Sequence, residues 1–184
     1  MKVLLVSDLH SQRRCLELLP KIIKKHLPDF LVCSGDITQN DDTQYFDEFI
    51  SIIKEAKVDA GLIWGNNDRE EIQSKILSSP YNIHLKVKTQ DGWKFFGLGE
   101  TEDIPFINPE DIRGGILVTH RPPLFEQLRS SLKNAPKYHI SGHIHSVGRV
   151  KKFPSTTLIQ VPSLTLGRYA TFEPDKEQVK FFYA

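Results

Sequence analysis

The sequence predicts an α/β fold over its first two-thirds and an all-β ending. Short apolar runs alternate there with amphipathic segments, which is typical of a parallel sheet connected by helices. The chain has 184 residues, 39% of them hydrophobic, which is enough for one well-formed core. It shows no repeat or linker, so we expect a single domain over residues 1–184.

The first part of the chain follows the order strand, helix, strand, helix, strand. Apolar runs of strand length predict three strands buried on both faces: Val3–Val6, Phe30–Cys33 and Gly61–Trp64. Apolar residues at helical spacing predict helices from Leu16 to Leu27 and from Tyr45 to Ala56. Pro20 predicts a start or a kink in the first helix.

The next segments predict one more helix, a hairpin and two strands. Asp68 and Glu71 resemble a capping box for a helix through Leu77. Gln90-Asp91-Gly92 predicts the turn of a hairpin. Two further buried strands and a helix between them are expected at Gly115–Val118, Leu124–Lys133 and Tyr138–Ile140.

The end of the chain predicts successive antiparallel strands. Their segments are rich in β-branched and aromatic residues: Val147–Val150, Thr157–Val161, Arg168–Phe172 and Val179–Tyr183.

Charge and cysteine content exclude several classes of protein. The formal net charge is +1, so the uniformly basic surface of a nucleic-acid binder is absent. Cys15 and Cys33 lack metal-type spacing, so we expect both to be packed as small apolar residues in a reducing compartment. Asp8 and His10 follow the first apolar run too soon for a signal peptide or membrane span. We therefore expect a cytoplasmic protein without membrane contact.

A local basic patch would still allow nucleic acid as a partner. Its members would be Lys133, Lys137, Arg149, Lys151 and Lys152, for which a solvated face is the simpler interpretation. The sequence leaves the nucleic-acid question and the oligomeric state open, with a homo-oligomer as one option.

Seven polar side chains follow predicted strands directly. They are Asp8, His10, Asp36, Asn66, His120, His143 and His145. Because the carboxyl ends of strands in an open α/β sheet form the ligand-binding edge, we expect these side chains to converge. Nitrogen and oxygen donors without a thiolate indicate hard-to-borderline divalent ions rather than the cysteine-rich site of a structural zinc. Asp36, on the strand expected to be central, is the candidate to bridge two ions.

Each of these side chains taken alone also has an ordinary role. Asp8 can cap a helix, Asp36 can hold a turn, and His120 can be a loop residue. His26, His84 and His139 lack partners at suitable spacing, so we assign them structural roles.

The segment Gly142-His143-Ile144-His145 carries the most information about the site. On an extended backbone, side chains two residues apart point the same way. The two rings can therefore serve one ion together or two adjacent ions separately, and Gly142 would let the backbone turn tightly beneath them.

Five short motifs together resemble those of the calcineurin-like metallophosphoesterases, especially the small bacterial and archaeal phosphodiesterases. In chain order they are Asp8-Leu9-His10, Gly35-Asp36, Gly65-Asn66, Thr119-His120 and Gly142-His143-Ile144-His145. The resemblance implies a four-layer αββα sandwich of two mixed β-sheets flanked by helices. It also implies two divalent ions, Mn first, with Fe, Zn or Ni as alternatives. The first ion would be held by Asp8, His10, Asp36 and His145, the second by Asp36, Asn66, His120 and His143.

Such a site predicts hydrolysis of a phosphate ester. A water held between two cations loses a proton near neutral pH, and the bridging hydroxide would attack phosphorus with no covalent intermediate. Asp36, Asn66 and His120 are the expected catalytic residues, and Asn67, Arg121 and Arg69 the expected substrate-binding residues. The alternative is a protein-interaction scaffold on the same fold, with little or no catalysis.

One position departs from the family pattern. Many members carry His, thought to protonate the leaving group, where this chain has Asn67. An amide cannot donate that proton. We therefore expect a phosphodiester, which can be a nucleotide, or an activated ester, unless the acid comes from elsewhere.

Overall fold

The computed structural model describes residues 1–101, 108–122 and 136–184, and within them the chain forms two mixed β-sheets. The first sheet has the order β11-β10-β1-β2-β3 and the second the order β4-β5-β6-β7-β9-β8. Strands of the first sheet are β1 Val3–Val6, β2 Phe30–Cys33, β3 Asp59–Leu62, β10 Arg168–Glu173 and β11 Gln178–Tyr183. Strands of the second are β4 Val87–Gln90, β5 Trp93–Leu98, β6 Ile116–Thr119, β7 Tyr138–Ser141, β8 Arg149–Lys152 and β9 Thr157–Gln160.

Four helices lie outside the sheets in the described part of the chain. They are α1 Arg13–His26, α2 Thr43–Glu55, α3 Glu70–Ser78 and the single turn α4 Pro109–Ile112. The expected helix Leu124–Lys133 lies outside the described residues. None of the described helices is long and apolar enough to cross a membrane.

Strand β1 shows how the layers are held together. Val3 and Leu5 face the second sheet and join the core between the sheets, while Leu4 and Val6 face α1, α2 and α3. All four side chains are fully buried, as predicted for a strand covered on both sides. On the outer face of the second sheet, Ile112 of α4 packs in a smaller cluster. The order of layers is therefore helix, sheet, sheet, helix.

The last four strands do not form one antiparallel series, so that prediction was wrong. β8 and β9 form a hairpin in the second sheet, where β9 runs parallel to β7. β10 and β11 form a hairpin in the first sheet, where β10 runs antiparallel to β1. The sequence pattern gave strand positions but not sheet membership, because both sheets bury similar apolar residues.

Three local predictions also need correction. β1 rather than β2 is the central strand of the first sheet. β3 spans Asp59–Leu62 rather than Gly61–Trp64, because it pairs with β2 from Asp59 opposite Phe30 to Leu62 opposite Cys33. Pro20 lies inside α1, which rules out the predicted helix start and leaves the kink as the remaining alternative. The predicted hairpin at Gln90-Asp91-Gly92 is confirmed by the antiparallel pairing of β4 with β5.

Candidate metal centre

The seven predicted donors meet at one edge of the structure, where the loops after β1, β2, β3, β6 and β7 come together. His, Asp, Glu and Cys side chains of the described residues form two groups there with metal-ligand spacing. The first group is Asp8, His10 and His145, and the second group is Asp36, His120 and His143. Each group combines side chains from both sheets, so packing of the sheets creates both.

In the first group, two imidazoles and a carboxylate face one another. His10 Nε2 and His145 Nε2 are 3.1 Å apart, and Asp8 Oδ1 lies 3.3 Å from His145 Nε2 and 3.8 Å from His10 Nε2. Asp8 Oδ1 is buried and accepts no hydrogen bond from the residues that the structure describes. A buried carboxylate oxygen facing two ring nitrogens fits a divalent cation that all three could ligate.

The second group is centred on His120, whose side chain is fully buried. Its Nδ1 lies 2.9 Å from the carbonyl oxygen of Ser34, to which it donates. Nε2 faces two acceptors, Asp36 Oδ2 at 3.3 Å and Asn66 Oδ1 at 3.1 Å. Neutral His120 would direct a lone pair at these oxygens, so the arrangement requires a proton or a cation at Nε2.

The contacts of His120 also change its acidity. Burial lowers the pKa of His120, but the hydrogen bond and charge of Asp36 outweigh burial and leave the pKa raised. His143 Nδ1 lies 3.3 Å from His120 Nε2. Burial and the charges of His120 and Arg121 lower the pKa of His143. The two imidazoles of the second group therefore differ in proton affinity although they adjoin.

Asp36 adjoins both groups through one oxygen. Its Oδ2 lies 3.6 Å from His10 Nε2 in the first group and 3.3 Å from His120 Nε2 in the second. Asn67 donates to Asp36 twice, from its backbone N to Oδ1 and from Nδ2 to Oδ2, both at 2.8 Å. Burial opposes ionisation of Asp36, but the contacts with His120 and Asn67 prevail and lower its pKa to about 2. Asp36 is therefore a carboxylate at neutral pH.

Several donors occupy the left-handed backbone region, which only glycine enters freely. The φ angles are 55° at Asp8, 48° at His10, 52° at Asp36 and 68° at His143. Strain of this kind concentrates at functional sites, where surrounding contacts maintain it. The expected extended backbone at His143 was therefore wrong. The two rings of the His143-Ile144-His145 segment reach the same edge through a turn instead.

Gly142 has a different role from the one predicted. Its φ is not positive, but a Cβ at this position would overlap Ser7 Oγ and crowd Ser34 Oγ. Gly142 therefore allows the loop after β7 to approach the loops after β1 and β2. Gly65 acts similarly, because a Cβ there would overlap the carboxylate of Asp36.

The predicted capping box at Asp68 and Glu71 was wrong. The N-cap residue of helix α3 is Arg69, and its side chain makes no capping hydrogen bond. The backbone N of Glu71 donates instead to Asp41, at 3.1 Å, from the loop before α2. Asp41, which is distant in sequence, can accept this hydrogen bond because the loops after β2 and β3 pack together.

Asp68 instead ties those two loops to each other, a role that sequence reasoning missed. Burial raises the pKa of Asp68, and backbone donors offset part of that rise. Its carboxylate accepts four hydrogen bonds of 2.7–3.1 Å, from the backbone N of Ile37, Thr38 and Gly65 and from Thr38 Oγ1. Asp68 thereby fixes the loops that carry Asp36 and Asn66.

The predicted substrate-binding residues differ in their contacts with the donors. Asn67 contacts Asp36 directly. Arg121 NH1 lies 3.4 Å from His143 Nε2, and its Nε donates to Glu100 Oε1 at 2.6 Å. Arg69 is exposed, and its side chain makes no hydrogen bond or ion pair with described residues.

The three remaining histidines lie away from both groups. His26 pairs with the hydroxyl of Tyr169, and His84 packs against Trp64. His139 is buried, and its Nε2 lies 2.8 Å from Thr119 Oγ1. Burial lowers the pKa of His139 to about 3 and that of His84 to about 4.

The family model of calcineurin-like phosphoesterases matches residues 1–147 of the chain. The chain is 27% identical over 146 residues to an "uncharacterized protein" of Methanocaldococcus jannaschii, covering 67% of this chain and 62% of that protein. It is also 27% identical over 172 residues to a "probable cyclic nucleotide phosphodiesterase" of Fibrobacter succinogenes, covering 77% and 67%. Both relatives are therefore longer, and the chain spans about two-thirds of each or less.

Several solved structures are similar over nearly the whole chain. The protein TT1561 of Thermus thermophilus has a TM-score of 0.79 at 15% identity, covering 99% of this chain and 98% of that chain. An archaeal phosphodiesterase has a TM-score of 0.65 at 16% identity, covering 100% of both chains. At these identities the likeness concerns the fold alone.

Proposed function

The chain belongs to the calcineurin-like phosphoesterase family, and we propose that it hydrolyses a phosphodiester with two divalent cations. The position of Asp36 carries the proposal, because its Oδ2 adjoins a ring nitrogen of each donor group, at 3.6 Å and 3.3 Å. A shared carboxylate is the usual link between two catalytic cations. A complete set of N and O donors in each of the two groups favours catalysis over a scaffold role.

The proposed ligands divide between the cations. The first cation would take Asp8, His10, Asp36 and His145, and the second would take Asp36, Asn66, His120 and His143. We propose Mn as the metal, with Fe, Zn or Ni as alternatives that accept the same donors. Bound cations would neutralise phosphoryl oxygens and lower the pKa of a water molecule near neutral.

The residues of the site have distinct proposed roles. Asp36 is ionised, since its pKa is about 2, and so can ligate both cations at neutral pH. Ser34 fixes the ring of His120 through its carbonyl oxygen, which keeps Nε2 directed at the site. Attack by water leaves no role for a side-chain nucleophile, so no covalent intermediate forms on the protein.

Asn67 sets a requirement on the leaving group of the proposed substrate. Its amide can donate a hydrogen bond to a phosphoryl oxygen but cannot protonate a leaving group. Losing a general acid costs a factor of roughly 100 to 10,000, most for poor leaving groups. Substrates with good leaving groups suffer least. One relative is named a probable cyclic nucleotide phosphodiesterase and one structural neighbour a phosphodiesterase, which favours a phosphodiester substrate, of which a nucleotide is one kind.

Two arginines are the proposed phosphate ligands. Arg121 lies at the edge of the second group, where a guanidinium can bind an oxyanion through two N–H groups. Arg69 is the second, exposed at the start of α3.

The direct test is a panel of phosphodiesters and monoesters after chelation and addition of each metal separately. We expect activity to vanish on chelation, to return best with Mn, and to be higher for diesters. Absence of turnover with every metal and substrate would contradict the proposal and favour the scaffold.

Aryl phosphodiesters with leaving groups of graded pKa test the role of Asn67. We expect the rate to fall steeply as the leaving-group pKa rises, because no residue supplies the proton. A flat dependence would show that another residue acts as the acid.

A further inference from the structure

Arg121 is held by an ion pair through one nitrogen of its guanidinium. Its Nε donates to Glu100 Oε1 at 2.6 Å, and NH1 lies 3.4 Å from His143 Nε2. Among the described residues, this guanidinium makes no other hydrogen bond or ion pair. NH1 therefore lies at the edge of the second group, where a guanidinium can bind an oxyanion.

Glu100 is itself fixed by Trp64, which directly precedes the Gly65-Asn66 loop. The backbone N of Glu100 donates to the carbonyl oxygen of Trp64 at 3.1 Å, and Trp64 Nε1 donates to the carbonyl oxygen of Glu100 at 2.7 Å. Gly99 lies so close to the indole that a Cβ there would overlap it. Trp64 is buried, so the backbone of Glu100 has a rigid support.

The backbone of Arg121 is anchored separately. Thr119 Oγ1 donates to the carbonyl oxygen of Arg121 at 2.6 Å, and His139 holds the same hydroxyl at 2.8 Å. The hydroxyl has only one proton, so His139 Nε2 is the donor to it. Both ends of the Glu100–Arg121 pair are thus tied to buried residues, although the pair itself is partly exposed.

We propose that Glu100 is a positioning residue, which directs Arg121 toward the phosphoryl oxygens of the substrate. This inference rests on the proposed function. A free arginine side chain would lose rotamer entropy on binding phosphate, and the ion pair removes that cost in advance. The carboxylate of Glu100 also offsets the positive charge next to His143, so the second group retains its affinity for a cation.

A double-mutant cycle tests the proposal, with Glu100→Ala, Arg121→Ala and the double variant. The readouts are kcat and KM for bis(p-nitrophenyl) phosphate and the inhibition constant of inorganic phosphate. We expect Glu100→Ala to raise KM and weaken phosphate inhibition by roughly 5- to 10-fold, with a smaller change in kcat. In the Arg121→Ala background, Glu100→Ala should have no further effect. Glu100→Gln, which keeps an acceptor for Nε, should restore most of the phosphate binding.

Glu110→Ala is the matched control, because it breaks an exposed ion pair with Arg113 away from the donors. It should leave KM and phosphate inhibition unchanged. Equal effects of Glu100→Ala with and without Arg121, or unchanged phosphate inhibition, would overturn the proposal. If the wild-type protein shows no turnover, the function proposal fails, and calorimetry of inorganic phosphate binding to the Mn-loaded variants still tests the role of Glu100.

Discussion

The two donor groups differ in how deeply their side chains are buried and in how well other residues orient them. In the second group, the side chains of His120 and Asp36 are 0% and 2% exposed, whereas in the first group that of His145 is 45% exposed. The ring of His120 is oriented by a backbone carbonyl. No comparable bond orients the second nitrogen of His10 or His145 among the described residues. The second group is therefore the preformed one.

This difference has a consequence for the metals. Groups that orient a ligand from behind raise metal affinity by roughly 10- to 100-fold. Under the proposed function, the cation at the second group should bind more tightly than the cation at the first group. The first cation should exchange with solvent more readily, because His145 is partly exposed.

Asp36→Asn should have the largest effect, because it removes the carboxylate common to both groups. We expect phosphodiesterase activity to fall by at least about 1,000-fold and both cations to be lost. Asp47→Asn is a control, since Asp47 forms an exposed ion pair with Lys75. Activity and metal content measured together test this expectation, and full loading of the first group in Asp36→Asn would remove the bridge from the account.

Gly35→Ala should damage the second group selectively. Gly35 has a φ of 98°, and a Cβ there would lie 2.8 Å from His120 Nδ1 and 2.7 Å from the backbone N of Gly65. We expect a loss of activity of about 100-fold with a weaker second cation.

Gly92→Ala separates conformational strain from crowding. Gly92 has a φ of 81° but nothing within 4 Å of a Cβ. It should therefore lose stability without losing activity. Similar activities for the two glycine variants would mean that the ring of His120 is not held as tightly as we infer.

Most of the candidate metal ligands could be predicted from the sequence, but the residues that hold them in place could not. Asp8, Asp36 and His120 could be predicted because each follows a recognisable buried strand, and strand ends share an edge. Asp68 could not, because Ile37 and Thr38, which donate three of its four hydrogen bonds, lie some thirty residues away on the loop after β2. Pairing of Glu100 with Arg121 depends on how the loops after β5 and β6 pack, which no local pattern encodes.

The smallest expected effect is on the pH dependence of the free energy of unfolding, through His139 in β7. Burial lowers the pKa of His139 from 6.5 to about 3, so in acid the unfolded chain binds a proton that the folded chain does not. The free energy of unfolding should therefore decrease below about pH 6.5, with a slope approaching about 1.4 kcal/mol per pH unit from this residue.

His139→Gln should remove that part of the pH dependence. Urea unfolding of wild type and variant between about pH 7 and pH 5 measures the difference in slope. His84 is partly buried, also has a lowered pKa, and is present in both proteins, so its effect cancels. Parallel pH profiles would show that His139 is protonated in the folded protein.

Metal content of His145→Ala and His143→Ala tests the central claim most directly. The account predicts two Mn ions per chain in the wild-type protein. His145→Ala should lose the cation of the first group and keep the other, whereas His143→Ala should weaken the cation of the second group. Loss of both cations from either variant alike, or a single cation in the wild type, would contradict two separate cations joined by Asp36.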